Sequence, residues 1–230
     1  MKPLQTILTA SHAQDVTERL IRYARIETTS SRNNEAIPSS ESQWTLAKLL
    51  VEELKALGVT DVTLDEHCFV IAKITASPGY ENKPAIGFMA HVDTVADVSG
   101  TNVNPRIITD YDGSAIKLNE RLVLDPAEFP ELLNYKHDSL IVTDGNTLLG
   151  ADDKAGVAAI MSAVKLLMEQ KNVPHGPLYA IFTPDEETGR GMNAFPIDKV
   201  SMQACYTFDG GPAGEIEAEC FNAYGVNVTF

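Results

Sequence analysis

Four short acidic or histidine-containing clusters, each set directly behind an apolar run, constrain this chain more than any other feature of it. His91-Val92-Asp93 follows Ala85 to Ala90, Asp152-Asp153 follows Thr147 to Ala151, Asp185-Glu186-Glu187 follows Leu178 to Pro184, and Asp209 follows Ala204 to Phe208. Short apolar runs bounded by polar residues read as strands of a sheet covered on both faces. Ligands of open α/β sheets bind outside the carboxyl ends of the strands, so the four clusters are expected at one crevice. Taken singly, each has a plain structural reading: a histidine at a strand end, Asp153 as the N-terminal charge of a helix, Glu186-Glu187 as a solvated turn. Taken together, the carboxylates repel one another. Lys154 and, slightly beyond, Arg190 are the basic residues at hand, so a divalent cation is the simplest neutraliser.

Between the clusters, the periodicity alternates. Val16, Leu20, Tyr23 and Ile26 share the face of a helix opened by Ser11. Trp44, Leu46, Leu49, Leu50, Leu54 and Leu57 share that of a second, opened by Ser40 and stopped at Gly58. Val59 to Leu64 and Phe69 to Ile74 read as paired strands, and Lys154 to Glu169 as a strong helix. Leu140 to Thr143 and Thr147 to Leu149 flank Asp144-Gly145-Asn146, a hairpin signal. Asp97 to Lys136 is an irregular excursion over one end of the sheet. Alternating strands and helices predict an α/β sandwich. At 230 residues there is room for one large domain, taken as 1–218, plus part of a second. Phe221 to Phe230 alternates weakly and stops mid-strand, which predicts a chain cut at that point.

Charge and cysteine usage exclude several functions. Lys and Arg number 18 against 32 Asp and Glu, a net charge of −14, without the basic patch that nucleic acid or an anionic membrane surface requires. No apolar run approaches the ~18 residues of a membrane span, and Met1 to Ala10 lacks the apolar core of a secretory signal. Cys68, Cys205 and Cys220 are too scattered for a disulfide framework or a thiolate cluster and read as buried thiols. A cytoplasmic location is expected. Asp110-Tyr111-Asp112-Gly113 lacks the later residues of a calcium loop, and no phosphate loop or nucleophile elbow is present.

Residues i and i+2 of an extended chain point to one side, so Asp93 can hold one ring nitrogen of His91 and leave the other for a metal. Imidazole with carboxylate oxygens suits zinc, and also cobalt or manganese. A carboxylate shared between two ions is the dinuclear hydrolase plan.

Ala90-His91-Val92-Asp93-Thr94, Leu149 to Gly156, Thr183-Pro184-Asp185-Glu186-Glu187, Asp209-Gly210-Gly211 and Asn102-Val103-Asn104-Pro105 resemble the peptidase T, or tripeptide aminopeptidase, branch of the dinuclear zinc exopeptidases related to carboxypeptidase G and acetylornithine deacetylase. The resemblance implies a three-layer α/β sandwich with a central mixed sheet. Residues 219–230 would be the first strand of a truncated lid domain. It implies two zinc ions, with His91 and Asp209 on one, Asp152 bridging and Glu187 on the second. Asp93 would orient His91, and Glu186 would be the general base that deprotonates the attacking water. Short peptides, tripeptides first, are the implied substrates. The full-length form is expected to be a homodimer, through the lid. In the family a last zinc-binding histidine lies beyond the lid; His12, His67, His137 and His175 match no such motif and are expected in structural or surface roles. The alternatives are a dipeptidase or N-acyl amino acid deacylase with the same site, or a non-catalytic metal-binding fragment.

Overall fold

A computed structural model describes residues 9–211, 214–218, 226 and 228. Its first helix, α1 (Ala10–Ala24), begins one residue before Ser11, capped by Thr9, whose backbone N–H is accepted by His12 Nδ1 at 3.0 Å. The second, α2 (Gln43–Ala56), starts later than Ser40 and ends before Gly58, which takes φ +90°. Strands β1 (Asp61–Leu64) and β2 (Val70–Ile74) form the expected pair, which is antiparallel, and β3 (Ile86–His91) is the apolar run that leads to His91.

The excursion carries β4 (Arg106–Ile108), β5 (Ile116–Lys117) and β6 (Val123–Leu124). Then come β7 (Leu140–Val142), α3 (Ala151–Glu169), β8 (Leu178–Thr183), two short 3₁₀ turns and β9 (Ala204–Thr207).

The main sheet has the order β1-β2-β8-β3-β9 and is mixed, with β2 antiparallel to β8 and both β8 and β9 parallel to β3. On one face Leu46, Leu50 and Leu54 of α2 and Val157, Met161 and Val164 of α3 pack with Val70, Ala72, Ala180 and Phe182. Each fully buried aliphatic side chain there contributes about 1.5 to 3 kcal/mol of burial. On the other face Ile71, Met89, Tyr179 and Ile181 meet Phe195, Val200 and Met202 from the connection between β8 and β9. Helices, mixed sheet and connection are the three layers of an α/β sandwich. Among the described residues no helix is long and apolar enough to cross a membrane.

Several expectations are corrected. Thr147 to Leu149 is not a strand, and β7 pairs with β4 of the excursion instead of forming a hairpin. The Asp144-Gly145-Asn146 signal is spent locally: Asn146 N–H donates to Asp144 Oδ1 at 3.0 Å, and Leu148 N–H turns away to Ser99 O at 3.1 Å. Asp152-Asp153 therefore follows a loop. Cys68 is buried but Cys205, on edge strand β9, is exposed. Cys220 and, apart from Val226 and Val228, the expected strand over 219–230 lie outside the described residues.

Candidate metal centre

Strand register carries two of the clusters to one another. Strand β3 pairs β9 with Ile86 opposite Ala204 and Met89 opposite Thr207, and the pairing continues as Phe208 N–H donates to Met89 O at 2.7 Å. His91 and Asp209 are thus brought side by side just past the sheet. On the other flank His91 lies opposite Thr183, and Val92 N–H donates to Thr183 O at 2.8 Å, so Asp93 meets the turn that begins at Asp185. The third component comes from α3. Gly150 caps it in a left-handed conformation with φ +73°, and Asp152 and Asp153 have non-helical backbone angles before the regular helix resumes. The Asp152–Asp153 peptide is cis.

The result is a buried imidazole facing exposed carboxylates. His91 is 3% exposed, and its Nε2 lies 3.0 Å from Asp152 Oδ1, 3.8 Å from Glu186 Oε2 and 3.9 Å from Asp209 Oδ2. One ligand atom from each of His91, Asp152 and Asp209 lies within 4.8 Å of the others, a donor set of one nitrogen and carboxylate oxygens that fits a divalent cation. On its other side, His91 Nδ1 is 3.0 Å from Asp93 O and 3.3 Å from Asp93 Oδ1. Asp93 also accepts the backbone N–H groups of Glu186, at 2.9 Å, and Glu187, at 3.2 Å, so one buried carboxylate bridges the imidazole and the acidic turn. Glu187 is brought to the crevice rim by this bond, but its carboxylate is not one of the three grouped ligands.

Protonation reflects the crowding. Burial alone would lower His91, but Asp93 foremost, then Asp153 and Glu186, overcome it and push the imidazole up to about 10. Burial raises Asp153 to about 8, opposed by His91 and reinforced by Asp209. Glu186 and Glu187 are raised first by burial; His91 opposes the rise in both, while among the carboxylates Asp209 adds most to it at Glu186 and Asp152 at Glu187. The crevice thus retains protons where a cation would replace them.

Two groups are more than local sequence reading assigns them. Asp153 is 2% exposed, and its carboxylate accepts His91 N–H at 3.1 Å and Gly156 N–H at 3.0 Å. It ties α3 to β3 and is not a surface helix charge. Lys154 is 1% exposed and donates through Nζ to Ile26 O at 2.6 Å, fastening the segment after α1; burial lowers it to about 8. The remaining histidines sit elsewhere: His67 Nδ1 lies 3.4 Å from Ile37 O, His137 pairs with Asp110, and His175 Nδ1 is 2.8 Å from Gly176 O.

Known proteins place this geometry in a lineage. Residues 137–215 match the model of peptidase family M20/M25/M40. Peptidase T of Geobacillus thermodenitrificans is 50% identical over 218 residues, covering 94% of this chain and 53% of the relative. Peptidase T of Alkaliphilus oremlandii is 46% identical over 218 residues, with the same coverage of 94% and 53%. The chain thus spans about half the length of the curated relatives it matches. Among solved structures, the aminopeptidase PepT of Bacillus cereus superposes with a TM-score of 0.61 at 24% identity, over 86% of this chain and 44% of that one. A tripeptidase of Staphylococcus aureus gives 0.61 at 25%, again over 86% and 44%. Half of its residues are thus shared with peptidases T along nearly all of this chain, residues 137–215 carry the match to peptidase family M20/M25/M40, and the sheet beneath them has the fold of the solved aminopeptidase.

Proposed function

We propose that this chain carries the active site of a metal-dependent aminopeptidase that releases the N-terminal residue from short peptides, tripeptides first. The observation that carries the reading is the buried His91 imidazole, its Nε2 within 3.0 to 3.9 Å of carboxylates from Asp152, Glu186 and Asp209 in one crevice. The likeness to peptidases T supports the peptide substrate, and the tripeptidase from Staphylococcus aureus supports the chain length.

In this reading His91 and Asp209 would hold one zinc ion, Glu187 the second and Asp152 would be shared between them, with cobalt or manganese able to substitute. When bound, the metal supplies Lewis-acid polarisation of the scissile carbonyl and acidifies water. Asp93 fixes the tautomer of His91 through Nδ1, so that Nε2 presents its lone pair. Glu186 is the general base. Its carboxylate, 3.8 Å from His91 Nε2 at the crevice, stands where it can take a proton from the attacking water and give it to the leaving amine. The adjacent glutamates thereby divide the work, one on the metal and one off it. Residues 1–218 are assigned to the catalytic domain and 219–230 to the start of a lid that would form a homodimer in the full-length form, in the cytoplasm.

The test compares a tripeptide, a dipeptide and an N-acetyl amino acid as substrates of the zinc-loaded full-length form. Release of the N-terminal residue from the tripeptide, abolished by chelation and restored by zinc, is expected. Exclusive deacetylation or dipeptide cleavage would replace this reading with the corresponding hydrolase. A chain that binds zinc and cleaves none of the three would be a non-catalytic fragment.

A further inference from the structure

The turn that carries Glu186 and Glu187 does not hold itself in place. It opens at Asp185 in the left-handed region, φ +57°, a conformation disfavoured for a residue with a side chain, and closes at Gly189 with φ +72°. Contacts from outside maintain it. Asp93 takes the two glutamate amides from the imidazole side. From behind, Asp185 is 0% exposed and its carboxylate accepts Ser39 N–H at 2.7 Å, the Ser39 hydroxyl, and Gln43 Nε2 at 2.8 Å. Gln43 Oε1 returns the bond by accepting Asp185 N–H at 3.2 Å.

A buried carboxylate is costly unless every lone pair is served. Asp185 has no cationic partner among the described residues, only these neutral donors. Gln43 is also 0% exposed, at the first residue of α2. Its amide both donates and accepts, which neither a carboxylate nor an apolar side chain of that size can reproduce. Arg190 fastens the far side of the turn, with Nη1 to Asn34 O at 2.6 Å and Nη2 to Ser31 O at 2.9 Å. The loop before α2 and the turn after β8 are thus joined at both ends.

We infer that Ser39, Gln43 and Asp185 are positioning residues for the acidic turn: helix α2, on the far side from the metal, fixes where Glu186 and Glu187 stand over the crevice. This rests on the reading of Glu186 as base and Glu187 as ligand. These side chains touch neither substrate nor metal; they act through the backbone of the turn. Because three separate bonds converge on Asp185, removing one loosens the turn without emptying the crevice.

The experiment uses Gln43→Leu, Ser39→Ala and Ser39→Thr in the full chain, loaded with zinc. It reads kcat and KM for a tripeptide, zinc affinity by chelator competition, and Tm. Gln43→Leu is expected to lower kcat about 10- to 100-fold with KM within about threefold, and to weaken the second zinc by about 10-fold while the first stays unchanged. Ser39→Ala should show the same split to a lesser degree, and Ser39→Thr, which keeps the hydroxyl, should recover most of it. Variants with lowered Tm but unchanged kcat and KM in the folded fraction would reduce these residues to stabilisers and overturn the inference. So would equal weakening of both zinc ions. A wild-type chain without peptide hydrolysis overturns the peptidase reading and this inference with it, whereas active wild type and equally active variants overturn the inference alone.

Discussion

Gly156→Ala is the substitution that the structure judges most differently from helix propensity. Gly156 lies within α3, where alanine is favoured by about 1 kcal/mol. A Cβ there would stand 2.1 Å from Phe208 O and 2.3 Å from Asp153 Oδ1, so something must shift by about 1 Å to reach ordinary contact. Neither neighbour is the free end of a flexible chain. Phe208 is pinned by its N–H to Met89 O at 2.7 Å and leads directly to Asp209. Asp153 is held by His91 N–H and by the Gly156 N–H itself. Overpacking costs about 1 to 3 kcal/mol, and loosening a hydrogen bond to the Asp153 carboxyl, largely neutral at neutral pH because burial raises it to about 8, costs about 0.5 to 1.5 kcal/mol. Set against the propensity gain, the net loss is about 0.5 to 3.5 kcal/mol. The same displacement moves Asp209 away from Asp152, and metal affinity should fall about 10- to 100-fold. Urea denaturation and cobalt titration of the purified variant measure the two effects. If Gly156→Ala were as stable as the parent and bound cobalt as tightly, the close approach of β9 to α3, and with it the grouping of Asp209 with Asp152, would be refuted.

In the full-length form Glu186→Gln should retain its metal and lose turnover by about 10² to 10⁴-fold, as removal of a positioned base does, whereas Glu187→Gln should weaken the second metal site; metal content beside kcat decides, and the reverse pattern would exchange their roles. Asp15 gives the acid dependence of the fold. Burial would raise its carboxyl, but bonds from Lys165 at 2.7 Å, Ser162 at 2.6 Å and Arg19 at 2.8 Å hold it well below the usual carboxylate range. Since the folded value is depressed, its contribution is present above the unfolded value near 3.8 and lost as pH falls through that value toward the folded one. Asp15→Asn should therefore cost about 1.5 to 3 kcal/mol at neutral pH and flatten stability against pH below about 4, read by denaturant midpoints from pH 2 to 7; an unchanged acid limb would show that α1 is not held to α3 through this group.

What the sequence made legible was whatever a local period or a strand end determines. Leu46, Leu50 and Leu54 mark a helix face because their spacing is helical, and all three are buried. His91 and Asp209 were legible as strand-end residues, although only the register of β3 with β9 brings them together. The errors have the same origin. Asp144-Gly145-Asn146 is a good turn, but its flanks pair with Ser99 and with β4, contacts that no window around residue 145 contains. Asp153 passes for a helix charge when only its own helix is considered; its burial depends on the backbone of His91, 62 residues away. Gln43 and Ser39 carried no signal at all, because their partner Asp185 lies more than 140 positions downstream.

That distribution also explains why the site and the fold are one construction. The three grouped candidate ligand atoms come from the end of β3, the irregular start of α3 and the second residue after β9, so no single segment can gather them in an unfolded chain. Once gathered, the carboxylates oppose the fold, since burial makes Asp153, Glu186 and Glu187 bind protons more tightly there than they would in water, and the His91 imidazole, whose proton Asp93 helps to hold, offsets them only in part. The opposing cost is met by neutral scaffolding. Backbone N–H groups of His91, Gly156, Glu186 and Glu187 are each directed at a buried carboxylate, Asp153 or Asp93. Such donors stabilise charge without adding a lysine or arginine, which leaves the outward-facing carboxylates of Asp152, Glu186 and Asp209 facing only the His91 imidazole among the described residues. A lysine or arginine in their midst would have made a more stable apo chain and a weaker metal site. The buried acids are satisfied by the fold so that the exposed ones can be satisfied by a cation.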